Sequence, residues 1–176
     1  MEHLKISPLI AQEQIQKRVK EIAKEITNNA KGKSLVAIGV LKGSFLFYAD
    51  LIREIELDMI CDFCGASSYG DDTKSSGEVR LTMDLQNSIH GKDVLLIEDI
   101  VDTGLTMNFL KKHLSSKKPA SITTASFLLK PASLKEECSI DHVGFEVEND
   151  FVVGYGLDYQ GHFRQLPYVA RVENMN

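Results

Sequence analysis

A buried-type strand that runs into two acids and then a glycine turn constrains this chain more than any other stretch. In Val94-Leu-Leu-Ile-Glu98-Asp99-Ile-Val-Asp102-Thr-Gly-Leu-Thr106, the apolar run from Val94 to Ile97 reads as a strand covered on both faces. Leu105, Phe109 and Leu110 then recur at helical spacing. The turn Asp102, Thr103, Gly104, Leu105 and Thr106 suits a phosphate. Glycine permits positive φ and close backbone approach, the hydroxyls donate, and the first N–H groups of the helix face outward with the positive end of its dipole. Glu98 and Asp99 fall at the carboxyl edge of the strand, where doubly wound sheets bind ligands. Carboxylates repel phosphate, so their expected partners are hydroxyls or a metal ion. A ribose 5-phosphate offers a vicinal diol at a fitting remove from its phosphate.

Hydrophobic strands ending in an acid are common, as in P-loop NTPases and receiver domains, so neighbouring motifs must discriminate. The nearest Walker-type candidate, Gly32-Lys33-Ser34, has Thr27 where the first glycine belongs and precedes a strand instead of following one. No Gly-x-Gly-x-x-Gly fingerprint of dinucleotide binding occurs.

A length of 176 residues with 43% hydrophobic content fills one core, and a single domain over 1–176 is expected. A formal net charge of -5 argues against a broad nucleic-acid footprint. The densest basic run, Lys111-Lys112-His113 with Lys117-Lys118, sits where a helix should end and reads as a solvated helix terminus. No leader-like segment opens the sequence and no apolar run approaches the roughly 20 residues of a membrane span, so a cytoplasmic protein with no membrane partner is expected. Three cysteines fit a reducing compartment. Cys61 and Cys64 form a C-x-x-C on a predicted strand, where residues three apart point to opposite faces and cannot easily chelate one ion.

Ile15, Val19, Ile22, Ala23 and Ile26 mark an amphipathic helix stopped by Asn28, Asn29 and Gly32. A strand over Leu35 to Val40, the turn Leu41-Lys42-Gly43-Ser44 and a helix over Phe45 to Ile55 follow. Residues 57–64 and 78–85 read as strands flanking the polar segment Ala66 to Gly77, a long mobile hairpin loop. Beyond the opening motif come a helix through about His113, a strand over Ser121 to Leu129 and the turn Lys130-Pro131. Val143 to Val147 and Phe151 to Val153 close the core, leaving Gly154 to Arg164 as a polar, aromatic tail loop. Strands alternating with helices indicate an α/β protein with a mainly parallel sheet.

Taken together, these pieces resemble the hypoxanthine-guanine phosphoribosyltransferases of the bacterial type over nearly the whole chain. Val94 to Thr106 resembles the family's phosphoribosyl pyrophosphate signature, Leu41-Lys42-Gly43 its pyrophosphate loop, and Ser68-Tyr69 its flexible lid. Phe151-Val152, Gly154 to Tyr159 and Arg164 resemble its purine and pyrophosphate end. The resemblance implies a type I phosphoribosyltransferase fold: a twisted, mainly parallel sheet flanked by helices, a long hairpin lid and a small C-terminal purine-binding hood. It implies Mg²⁺-dependent transfer of ribose 5-phosphate from 5-phosphoribosyl 1-pyrophosphate to N9 of hypoxanthine or guanine. The expected partners are these small molecules and further copies of the chain, as a homodimer or homotetramer, with no nucleic acid.

Residue by residue, the resemblance has Glu98 and Asp99 gripping ribose hydroxyls and a metal ion, with Asp158 holding a metal through water at the purine end. Asp102 would manage the purine proton near N7, and Thr103, Gly104, Leu105 and Thr106 would cradle the 5-phosphate. Leu41, Lys42, Gly43 and Arg164 would face pyrophosphate, and family members place a non-proline cis peptide at the position of Leu41-Lys42. Lys130 would donate to the purine O6, Phe151 would stack on the ring and Val152 would offer backbone groups. Each has an ordinary alternative: surface charge for Lys42 and Arg164, an N-cap for Asp102, core packing for Phe151, a tolerated loop for 66–77. Cys64-Gly65-Ala66 and Leu129 depart from the pattern of bacterial relatives. The rival reading is an RNA-binding or nucleotide-sensing regulatory relative, which would need a basic face that the acidic balance disfavours.

Overall fold

The computed structural model describes residues 4–68 and 79–173. The chain runs β1 (Ile6–Ile10), α1 (Gln12–Asn29), β2 (Leu35–Leu41), α2 (Phe45–Glu54), β3 (Met59–Ser68) and β4 (Val79–Met83). It continues through β5 (Asp93–Val101), α3 (Leu105–Ser116), β6 (Ser121–Leu129), a 3-10 turn (Pro131–Ser133), β7 (His142–Glu146), β8 (Val152–Val153) and β9 (Val169–Val172). Six strands form one sheet in the order β4-β3-β2-β5-β6-β7. All neighbours pair parallel except β3 with β4. This is the mainly parallel α/β sheet that the sequence predicts.

The unbroken apolar runs of β2 and β5 are explained by cover on both faces, since alternate residues of a strand point to opposite sides. Leu35, Ala37, Leu95 and Ile97 meet the apolar stripe Ile15, Val19, Ile22 and Ile26 of α1 and Phe47 and Leu51 of α2. Val36, Ile38, Val40, Val94 and Leu96 meet Met107, Leu110 and Leu114 of α3 on the other face. The strand ends that precede α2 and α3 therefore open onto one edge of the sheet. Cys64 is buried and Cys61 exposed, as opposite faces of a strand require.

Two expectations are corrected. β3 extends to Ser68, four residues past the predicted end, because its backbone pairs with β4 up to Ser68 opposite Val79; ladder hydrogen bonds override the weak strand propensity of glycine and serine. The lid residue Tyr69 and the segment 69–78 lie outside the described residues. The second correction concerns the hood. A three-stranded antiparallel sheet, β1-β9-β8, joins the tail loop to both chain ends, so the small subdomain is not C-terminal alone. β1 and β9 are short, and Pro8 in β1 masks the alternation that would have revealed it. Among the described residues, no helix is long and apolar enough to cross a membrane.

Candidate active site

β5 carries its acids inside the strand rather than beyond it. Glu98 is almost fully buried, and its Oε2 has no hydrogen-bond partner. Asp99 is partly buried, and its Oδ1 accepts from the Ile100 N–H at 2.8 Å. Burial pushes the Glu98 carboxyl well above the usual carboxylate range, and the adjoining Asp99 charge adds to the shift. Burial raises Asp99 too, against hydrogen bonds and the distant Arg164 charge that favour its ionised form.

After β2 the chain turns sharply, with the Leu41-Lys42 peptide cis. The Ser44 hydroxyl donates back to the Val40 carbonyl at 2.6 Å, closing the turn on itself. Glycine at 43 leaves room for Asp99, because a Cβ would lie 1.5 Å from Asp99 Oδ2. On the other side, a Cβ at Gly156 would lie 2.0 Å from the Gly43 carbonyl oxygen. Three segments far apart in sequence thus converge on Gly43.

Asp102, Thr103 and Gly104 form the turn into α3, with Gly104 at φ +83° as the residue that caps the helix. No side chain caps α3, so its first N–H groups keep no side-chain acceptor and suit an anion. Asp102 is therefore not the N-cap that its position at a helix start allowed. Its carboxylate, half exposed, faces Lys130, whose Nζ lies 3.6 Å from Asp102 Oδ2. Lys130 is buried and its own N–H is bound to the Val101 carbonyl at 2.9 Å, so the end of β5 positions both partners. The Lys135 N–H donates to the Thr103 carbonyl at 3.0 Å, bracing the turn from outside.

The tail loop is a tight hairpin. Gly156 and Arg164 exchange a backbone hydrogen bond of 2.9 Å, and Arg164 Nη1 donates to the Gly156 carbonyl at 2.6 Å. Arg164 Nη2 reaches Asp158 Oδ1 at 2.5 Å, and Asp158 Oδ2 accepts from the Gly161 N–H. Phe151 is exposed instead of packed in the core, with its ring edge-on to Tyr159 at 5.7 Å. Val152 is buried and paired with Arg171 of β9. Ser68 ends β3, with its backbone opposite Val79.

The fold thus gathers Gly43, Asp99 and Gly156 at one point and Asp102 with Lys130 at another. Among the described residues no three His, Cys, Asp or Glu side chains form a ready-made metal cage. A residue missed in the sequence is Tyr155, whose buried hydroxyl donates to Asp50 of α2 at 2.8 Å. An acid in the otherwise apolar run Phe45 to Ile52 was the available signal.

The sequence matches the phosphoribosyl transferase domain over residues 8–160. It is 48% identical over 162 residues to the hypoxanthine-guanine phosphoribosyltransferase of Bacillus subtilis, covering 92% of this chain and 90% of that protein. The chain belongs to the hypoxanthine-guanine phosphoribosyltransferase family. Its Dictyostelium discoideum relative of that name is 44% identical over 169 residues, covering 94% of each. A crystal structure of the Bacillus anthracis hypoxanthine-guanine phosphoribosyltransferase, with HEPES in its active site, matches with a TM-score of 0.91 at 44% identity, covering 97% of this chain and 100% of that one. The mostly parallel sheet flanked by helices is accordingly a type I phosphoribosyltransferase fold, and the chain is a phosphoribosyl-transferring enzyme of purine salvage.

Proposed function

We propose that this enzyme, acting as one domain over 1–176, transfers ribose 5-phosphate from 5-phosphoribosyl 1-pyrophosphate to N9 of hypoxanthine or guanine. IMP or GMP and pyrophosphate are the products. The observation that supports this reading is the convergence of Asp99, Gly43 and Gly156, together with a helix start that no side chain caps, an arrangement suited to a diol, a diphosphate and a phosphate. The C1–O bond to pyrophosphate breaks as C1–N9 forms, so catalysis rests on aligning the partners and compensating charge.

Thr103, Gly104, Leu105 and Thr106 hold the 5-phosphate at the start of α3, and Leu41, Lys42, Gly43 and Arg164 hold the leaving pyrophosphate. Asp102 takes the proton of the incoming purine, and Lys130 donates to its O6. A buried ammonium facing position 6 accepts a carbonyl and is left unpaired by the amino group of adenine, which disfavours that base. Phe151, exposed at the surface, stacks on the purine ring, and Val152 presents backbone groups to the purine edge. Ser68 and Tyr69 belong to the segment assigned as a water-excluding lid.

The acid pair fits a divalent cation. Glu98 Oε2 is buried without a partner and both carboxyls are raised, a strain that a hard cation on oxygen ligands relieves. Glu98 and Asp99 would hold Mg²⁺ on the ribose side, and Asp158, through water, a second ion on the purine side. When bound, Mg²⁺ compensates the charge that builds on pyrophosphate. We further place the enzyme in the cytoplasm as a homodimer or homotetramer, which light scattering of the purified protein checks.

The decisive test is the absorbance change with phosphoribosyl pyrophosphate, Mg²⁺ and each of hypoxanthine, guanine, xanthine and adenine. Magnesium-dependent turnover of hypoxanthine or guanine but not adenine is expected. Silence with all four overturns the reading.

A further inference from the structure

Tyr155 stands outside every role assigned above, yet the chain distorts itself to bury it. Gly154, Tyr155 and Gly156 take φ values of +97°, +48° and +99°, three left-handed residues in succession. For tyrosine this region costs on the order of 1 kcal/mol, so the surroundings must hold it there. They do so at two points. The ring packs on Phe127 of β6 with centroids 4.7 Å apart, and the hydroxyl donates to Asp50 Oδ2 at 2.8 Å. Asp50 lies on α2, which starts directly after the turn Leu41 to Ser44. The next residue in the hairpin, Gly156, rests on the Gly43 carbonyl and accepts the Arg164 guanidinium on its own carbonyl at 2.6 Å.

We infer that the Tyr155–Asp50 hydrogen bond is a positioning contact that sets Gly156 against Gly43 and thereby aims Arg164 at the diphosphate group. The bond clamps the hairpin to the helix that carries the diphosphate turn, so the two pyrophosphate-facing segments move as one piece. Tyr155 touches no substrate; it acts through Gly156. This inference rests on the reaction proposed above for its choice of ligand.

Magnesium pyrophosphate and IMP are the probes, titrated by calorimetry into the wild type, Tyr155→Phe, Asp50→Asn and Asp50→Ala. Tyr155→Phe keeps the ring contact and loses one hydrogen bond to a charged group, which corresponds to about a tenfold weakening when expressed in full at a ligand. Pyrophosphate affinity is expected to fall by that factor, while affinity for IMP, which has no diphosphate, stays within about twofold. Asp50→Asn keeps a carbonyl acceptor for the phenol but not its charge, and is expected to lose less than Tyr155→Phe. Asp50→Ala should match Tyr155→Phe, and the double variant should lose no more than either single, as coupled partners do.

Pyrophosphate affinity unchanged in Tyr155→Phe, or equal losses for both ligands, would overturn the inference, since a merely structural bond lowers the unfolding temperature without preferring one ligand. A wild type that binds pyrophosphate but turns over no 6-oxopurine would sink the proposed reaction and leave the positioning role standing on the titration. A wild type that binds no pyrophosphate would overturn both.

Discussion

Asp99 occupies the space that a side chain at position 43 would need, with its Oδ2 only 1.5 Å from where the Cβ would stand. The backbone on either side is held, so the carboxylate is the part that gives way. Asp99 lies within β5, whose neighbours Glu98 and Ile100 pair with Ser126 and Leu128 of β6, and Gly156 blocks the turn from the opposite side. Gly43→Ala must therefore displace the carboxylate proposed to grip the ribose. A misplacement of about an ångström is expected to lower kcat/KM on the order of 100-fold, with the far-UV circular dichroism unchanged. Turnover within threefold of the wild type, or so, would show that the contact has no functional weight.

Glu98 is held in a state that favours binding over stability. Its carboxyl is raised by burial and by Asp99, so the folded protein retains the proton more tightly than the unfolded chain. For a raised carboxyl, the stability linked to it is full below the unfolded value near 4.3 and is lost as pH rises through the folded one. Ionising the buried carboxyl as pH rises thus costs the fold stability. Glu98→Gln is expected to raise the midpoint of thermal unfolding at pH 8 while lowering magnesium-dependent turnover. Differential scanning fluorimetry with parallel rate measurements checks it, and a lower midpoint at pH 8 would contradict the argument.

Asp84 shows the opposite sign. Burial resists its ionisation, but hydrogen bonds from Lys117 and His113 and from the Leu85 N–H outweigh it and bring the carboxyl down to about 2. Lys117 Nζ stands 2.8 Å away and His113 Nε2 3.1 Å, tying the end of β4 to the last turn of α3. For a depressed carboxyl the contribution is full above the unfolded value near 4 and is lost as pH falls towards 2. The Asp84 side chain is 40% exposed, so solvent screening keeps the effect small. Asp84→Asn is expected to flatten the fall in stability between pH 4 and 2.5 and leave turnover at neutral pH unchanged. Urea unfolding across that range measures the slope; identical slopes in both proteins would refute the assignment.

These sites differ in how far a reader of the sequence could have reached them. The placement of Glu98, Asp99 and Gly104 was legible because a local pattern, strand then turn then helix, fixes it within a few residues. The core was legible for the same reason, from the helical stripe Ile15 to Ile26 to the full strand Ser121 to Leu129. Tyr155 with Asp50 is separated by 105 positions, and although Asp50 stands out as an acid in an apolar run, nothing local names its partner. The small sheet escaped because β1 and β9 are short strands that find each other only across the length of the chain. Residues capable of an N-cap, such as Asp102, needed the backbone to show that Gly104 takes that position instead.

Asp102 and Lys130 supply the last prediction, because 3.6 Å between Nζ and Oδ2 makes them a pair whose members can be separated by role. Asp102→Asn takes the counter-charge from the buried Lys130 but keeps a carbonyl oxygen beside it, and it keeps the turn, whose cap is Gly104. Phosphoribosyl pyrophosphate binding should survive, since the phosphate cradle is made of backbone and hydroxyl groups. Loss of the proton acceptor is expected to cut turnover on the order of 100-fold or more, the usual contribution of a positioned acid or base. Lys130→Met removes the donor to O6 while keeping the unbranched stem in its buried slot. Its expected signature is different: weaker use of hypoxanthine and a narrowed preference for hypoxanthine over adenine, because no donor is then left unpaired by the amino group. Steady-state kinetics with both purines, beside titration of phosphoribosyl pyrophosphate into each variant, separates the two roles. Near-normal turnover in Asp102→Asn would remove it as the base, and an unchanged purine preference in Lys130→Met would remove the lysine as the reader of position 6.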